Sequence, residues 1–170
     1  MSKRIRLVAL SGIAVALSVT LGYLEHLIPF SVGIYGIKLG LANLSVLVLL
    51  YLLGTKSALA VHLIRILLCG LLFGNGVSFI YSLAGGLVCF PVMALTRHIK
   101  GLSPVGVSIC GGVTHNLAQL GAAMLLVSEL RLAFYLPVLL LSGTLAGLFV
   151  GLCSLPILHT LDRDRIRETR

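Results

Sequence analysis

Charge is scarce in this sequence, and acidic charge is scarcest: 11% of the 170 residues are charged and only five are Asp or Glu. The two aspartates, Asp162 and Asp164, stand in an arginine-rich stretch near the end of the chain. Catalysis on allylic diphosphates ordinarily uses aspartate clusters to hold magnesium against the diphosphate, and the sequence has none. It also lacks a Gly-x-x-x-x-Gly-Lys-Ser/Thr loop, which excludes ATP binding by that device. No Ser/His/Asp or zinc-ligand pattern is present. Cys69, Cys89, Cys110 and Cys153 each lie inside an apolar run without the close spacing of a metal site or redox pair, and read as packing or lipid-facing residues. Independent catalysis is not expected, nor is a cofactor or a metal.

Apolar length is what the sequence has in abundance. Hydrophobic residues make up 58% of the chain and the mean hydropathy is +1.11, beyond what a soluble core could hide. A spanning helix needs roughly 20 mainly apolar residues, so there is room for about six, with short loops and no separate soluble catalytic domain. Apolar runs between charges and glycines place spans near residues 5–27, 37–53, 57–74, 77–96, 104–127 and 133–157. Only Phe73-Gly74-Asn75-Gly76, a tight turn by composition, separates the third from the fourth. The expected fold is all-α and polytopic: one transmembrane domain over residues 1–158 and a basic tail over 159–170. The start of the chain, with Lys3, Arg4 and Arg6 before an apolar run, has the look of a secretory signal. That run continues to Leu24 without a convincing cleavage site, so it is expected to stay as the first helix.

The formal charge of +8 does not point to nucleic acid, because the basic residues sit in clusters between apolar runs. Short cytoplasmic loops are enriched in Lys and Arg. With the amino terminus inside, Lys3, Arg4, Arg6, Lys56, Arg97, Lys100 and the four arginines of the tail fall on the cytoplasmic side, and only Lys38 and Arg131 fall outside. The expectation is a multi-pass protein of a bacterial cell membrane with both termini cytoplasmic.

Polar residues at membrane depth are costly and so informative; insertion scales put a charged one at roughly 2.5–3.5 kcal/mol. Arg65 lies midway along the third span, with His62 three residues earlier on the same face. The fifth span carries His115, Asn116 and Gln119, the first and last on one stripe. Glu25, His26, Lys38 and Asn43 lie at the outer ends of the first two spans. One reading is an interior site for a small anionic or strongly polar ligand. There Arg65 and Lys38 supply charge, His115, Asn116 and Gln119 orient the ligand, Asn43 lies at the mouth, and Glu25 acts as counter-ion or gate. The other is structural: Arg65 pairs with Glu25, and the polar side chains join helices. The small-xxx-small pairs Gly12/Ala16 and Ala14/Ser18 on the first span suit close helix approach. Packing within the chain and docking of a partner subunit are both open for them.

Five ordered stretches, together reaching over nearly the whole chain, carry a resemblance. They are Glu25-His26-Leu27-Ile28-Pro29, Lys38-Leu39-Gly40-Leu41-Ala42-Asn43, Arg65 to Gly74, Tyr81-Ser82-Leu83-Ala84-Gly85-Gly86, and His115-Asn116-Leu117-Ala118-Gln119-Leu120. In these the chain resembles the family labelled heptaprenyl diphosphate synthase component I, also called the Gx transporter family. That resemblance implies two roles. One is an S-component-like protein of an energy-coupling-factor transporter, which binds a small anionic or isoprenoid-related solute and depends on coupling transmembrane and ATPase subunits. Gly12 and Ala16 would then belong to the docking face. The other is a non-catalytic membrane subunit of a polyprenyl diphosphate synthase in isoprenoid quinone biosynthesis. The family's associations add a third role, a membrane component of quinone- or flavin-linked electron transfer. The first is the leading expectation from sequence.

Overall fold

The computed structural model describes residues 3–27 and 40–168, with side chains at 5, 7–27 and 40–161. Helices joined by short turns make up the described chain. They are α1 (Lys3–Leu27), α2 (Leu41–Leu52), α3 (Thr55–Phe73), α4 (Gly76–Thr96), α5 (Pro104–Val127) and α6 (Leu136–Glu168), with a 3-10 turn at Leu130–Tyr135 before α6. Five of the six are long and apolar enough to cross a membrane. Apolar residues as prominent as Leu71, Leu95, Leu125 and Phe134 are more than 70% exposed on the outer surface, where lipid rather than water is the compatible neighbour. The protein is an all-α polytopic membrane protein.

The second helix departs from the expected span. The described α2 has 12 residues, about 18 Å at 1.5 Å per residue against a hydrocarbon core of about 30 Å. Residues 37–39 of that span lie outside the described residues. Gly40 precedes the helix at φ +74° and Gly54 follows its last turn at φ +86°, both positive-φ conformations that glycine adopts without a Cβ clash. Between them Ala42 and Ser45 through Leu50 are buried. A helix apolar on every side belongs inside a bundle, and α2 packs against α1, α3 and α6. The other contacts run α1 to α3, α3 to α4, α4 to α5 and α5 to α6, so the six helices close a ring with α2 drawn inward. Leu47, Leu50, Val61, Phe90, Met93, Val107 and Val150 form its apolar core.

Capping fixes the helix starts. Asn75 accepts a hydrogen bond from Ser78 N at 2.7 Å at the head of α4, and Ser103 accepts from Gly106 N at 3.2 Å at the head of α5, where Pro104 occupies the first turn. The α5–α6 pair is set by glycine. Gly143, Gly147 and Gly151 recur every fourth residue along one stripe of α6. A Cβ on Gly147 would lie 2.6 Å from Ile109 Cα, and one on Gly151 2.7 Å from Val105 Cα, so the two backbones touch. On α1 the two small-residue pairs separate: Ala14 and Ser18 are buried, and Ser18 Oγ hydrogen-bonds Ser45 Oγ of α2, whereas Gly12 and Ala16 are exposed.

Candidate functional site

The helical repeat puts His62, Arg65, Ile66 and Cys69 on one stripe of α3, and this stripe faces the inside of the ring. Arg65 is 8% exposed and His62 1%. Arg65 donates through Nη2 to Asn43 Oδ1 on α2, and the same nitrogen lies 3.3 Å from His62 Nδ1. His62 Nε2 is 3.1 Å from the carbonyl oxygen of Gly86. Because that oxygen can only accept, the network assigns the imidazole proton to Nε2 and leaves the Nδ1 lone pair for Arg65. The imidazole is also stacked against Phe90, with centroids 5.4 Å apart.

Two bare positions on α4 make this arrangement possible. A Cβ on Gly86 would lie 2.8 Å from His62 Nε2, and one on Gly85 would lie 2.6 Å from His115 Cε1. The Gly85-Gly86 pair thus receives an imidazole from α3 and another from α5 on adjacent parts of its backbone.

Beside Arg65 lies a cavity of about 130 Å3 to which all six helices contribute. Glu25 and His26 come from α1, Asn43 from α2, Arg65 and Cys69 from α3, Ser82 from α4, His115 and Asn116 from α5, and Ala146 from α6. Gly22, Gly40 and Gly112 leave stretches of bare backbone in its wall. A smaller void of about 20 Å3 adjoins it, reaching Met93, Ser108, Gly147 and Val150.

Of the residues singled out from sequence, Arg65, Glu25, His26, Asn43, His115 and Asn116 meet at this cavity. Glu25 is half-buried and accepts from Gly40 N at 2.6 Å. It lies within electrostatic reach of Arg65, although among the described residues the hydrogen bonds of Arg65 run to Asn43 and His62. Asn116 donates through Nδ2 to Leu139 O at 2.9 Å and to Ser142 Oγ at 3.0 Å, both on α6, so it ties helices together at the cavity wall. Gln119 is half-buried and does not line the cavity. Lys38 lies outside the described residues. Sequence reasoning missed Cys69, Ser82 and the glycine walls. Cys69 alone carried a usable signal, one turn beyond Arg65 on the same stripe. Among the described residues, no group of three or more His, Cys, Asp or Glu side chains is placed to hold a metal ion.

The family model for heptaprenyl diphosphate synthase component I matches residues 14–156, a stretch that begins within α1, ends within α6 and includes every residue lining the cavity. The chain belongs to that family. No curated protein and no solved structure matches it. In this member of the component I family, the cavity offers a guanidinium, amides, imidazoles and bare peptide groups, which are means of holding a polar ligand.

Proposed function

We propose that the chain is the non-catalytic membrane subunit of a polyprenyl diphosphate synthase in isoprenoid quinone biosynthesis, holding a small anionic group in the Arg65 cavity while a partner subunit carries the reaction. The family match over residues 14–156 is the observation that carries this reading. The makeup of the cavity is consistent with it, since Arg65 and the polar groups of Asn43 and His115 are suited to binding. The α3–α4 hairpin brings Lys56 and Lys100 to one end of the bundle, both exposed. Their charge makes that end basic, a surface that an acidic synthase would find from the cytoplasm.

A second reading, a solute-binding component of a transporter, is favoured by one feature: Gly12 and Ala16 present an exposed small-residue face on α1 that another membrane subunit can approach closely. Gentle extraction from native membrane followed by native mass spectrometry separates the two. An aspartate-rich synthase subunit bound to the chain is the expected result. Coupling transmembrane and ATPase subunits in its place would establish the transport reading, and a chain that emerges alone even under the mildest extraction would refute both.

A further inference from the structure

Arg65 is a buried cation whose hydrogen bonds, among the described residues, go to two neutral groups. Its Nη2 is occupied by Asn43 Oδ1 and His62 Nδ1, and its Nε, also buried, has no acceptor among the described residues. A buried guanidinium with unused donors beside a cavity is arranged for an anion that brings its own acceptors. The size of the cavity limits that anion. About 130 Å3 is well below the roughly 300–1,000 Å3 of pockets that enclose whole small molecules, so the space fits a head group and leaves the rest of a ligand outside. Charge limits it as well. A diphosphate ordinarily draws several cations or a metal ion, and among the described lining residues Arg65 is the one Arg or Lys, with the Glu25 carboxylate in the same wall.

From these observations we infer that the cavity takes one compact oxyanion, a carboxylate or a single phosphate group, gripped by the Arg65 donors that Asn43 and His62 leave unused. Asn43 and His62 are positioning residues. Gly86 O and Phe90 fix the imidazole, and its Nδ1 lone pair holds Nη2 in place. This inference deepens the proposal that the cavity holds an anionic group, and it is independent of which protein partner the chain has.

Cys69, one turn from Arg65 and in the same wall, is a built-in reporter. The experiment is alkylation of the full chain in lipid nanodiscs by N-ethylmaleimide, with the rate at each cysteine read by peptide mass spectrometry. Acetate, inorganic phosphate or pyrophosphate is added at constant ionic strength, with chloride as the reference. Acetate or phosphate is expected to slow Cys69 saturably, about fivefold at a concentration four times its Kd, and to leave Cys153 unchanged. Whichever of the two protects names the source of the oxyanion. Protection by pyrophosphate alone, or by none of the three, overturns the inference.

Arg65→Lys keeps the charge but loses the planar fork, and protection should disappear from protein that remains monodisperse; undiminished protection overturns the role of the guanidinium. His62→Leu should raise the anion concentration needed for protection, and His62→Asn, which returns an acceptor near the Nδ1 position, should restore it. Unchanged protection in His62→Leu overturns the positioning role. A synthase partner that co-purifies while Cys69 stays unprotected would overturn this inference and leave the subunit reading standing.

Discussion

Replacing Gly112 by alanine tests whether the α5–α6 seam is built on backbone contact. A Cβ at Gly112 would lie 2.3 Å from the carbonyl oxygen of Gly143 and 3.2 Å from Gly147 N. Carbon–oxygen contacts of this kind settle at about 3.3–3.6 Å, so the helices must move apart by about 1 Å. No flexible side chain can absorb the shift, because the opposing atoms belong to the α6 backbone. Overpacking of this order costs about 1–3 kcal/mol. At about 2–4 °C per kcal/mol for a chain of this size, Gly112→Ala should melt about 2–12 °C below the parent protein. Gly121→Ala, on the same helix, is the matched control. Nothing lies within 4 Å of its Cβ position, and exchanging glycine for alanine in a helix favours folding by up to about 1 kcal/mol. The assay is thermal loss of the monodisperse peak in one detergent for all three proteins. Equal melting of Gly112→Ala and Gly121→Ala, or a more stable Gly112→Ala, would refute the account of the seam.

Two further perturbations address contacts around α2. The Ser18–Ser45 hydrogen bond joins α1 to α2 inside the bundle, and a double-mutant cycle with alanine should return a coupling of about 0.6 kcal/mol, the usual size for such bonds in membrane proteins; zero coupling would mean that apolar packing alone holds these helices together. Arg97 donates through Nη1 to Leu50 O at the C-terminal end of α2, where a cation is worth about 0.3–1 kcal/mol. Arg97→Gln should therefore lower the melting temperature while Lys56→Gln, exposed at the start of α3, does not, and the same loss in both would show that general charge rather than this bond is responsible.

Apolar length predicts four of the six helices to within a few residues at both ends, and the start of the last, because a long apolar helix in a membrane protein needs no pattern beyond length; the end of α6 is missed, since the helix runs on to Glu168 through the charged stretch where apolar length gives no signal. The second is harder to read. Apolar runs look alike whether lipid or protein surrounds them, and α2 is wrapped by protein on most of its surface, with Leu47 and Leu50 fully buried. The turn at Gly74-Asn75 was legible from composition, since Asn75 uses its side chain to cap α4. The α1 pairs show the opposite case: Gly12/Ala16 and Ala14/Ser18 have the same spacing and similar sizes, yet one faces outward and the other α2. Spacing determines that two residues share a stripe, but the direction of the stripe comes from what the rest of the bundle packs against it.

The same distinction decides how much of the site could be read. Arg65 stands out because burying a guanidinium in a membrane is costly, and His62 follows from its position one turn away on the same stripe. Asn116 looked like a ligand group, but its amide goes to Leu139 and Ser142, since an interior amide takes whichever acceptors the neighbouring helix offers. The meeting of the two histidine stripes depends on a third helix that carries no polar signal at this point. Gly85 and Gly86 each occupy a position where a methyl group would strike an imidazole. Removing two side chains from α4 therefore does what no polar residue on α4 could do: it brings the α3 and α5 imidazoles against one stretch of backbone, and through Gly86 O it sets the tautomer that leaves His62 Nδ1 free to hold Arg65.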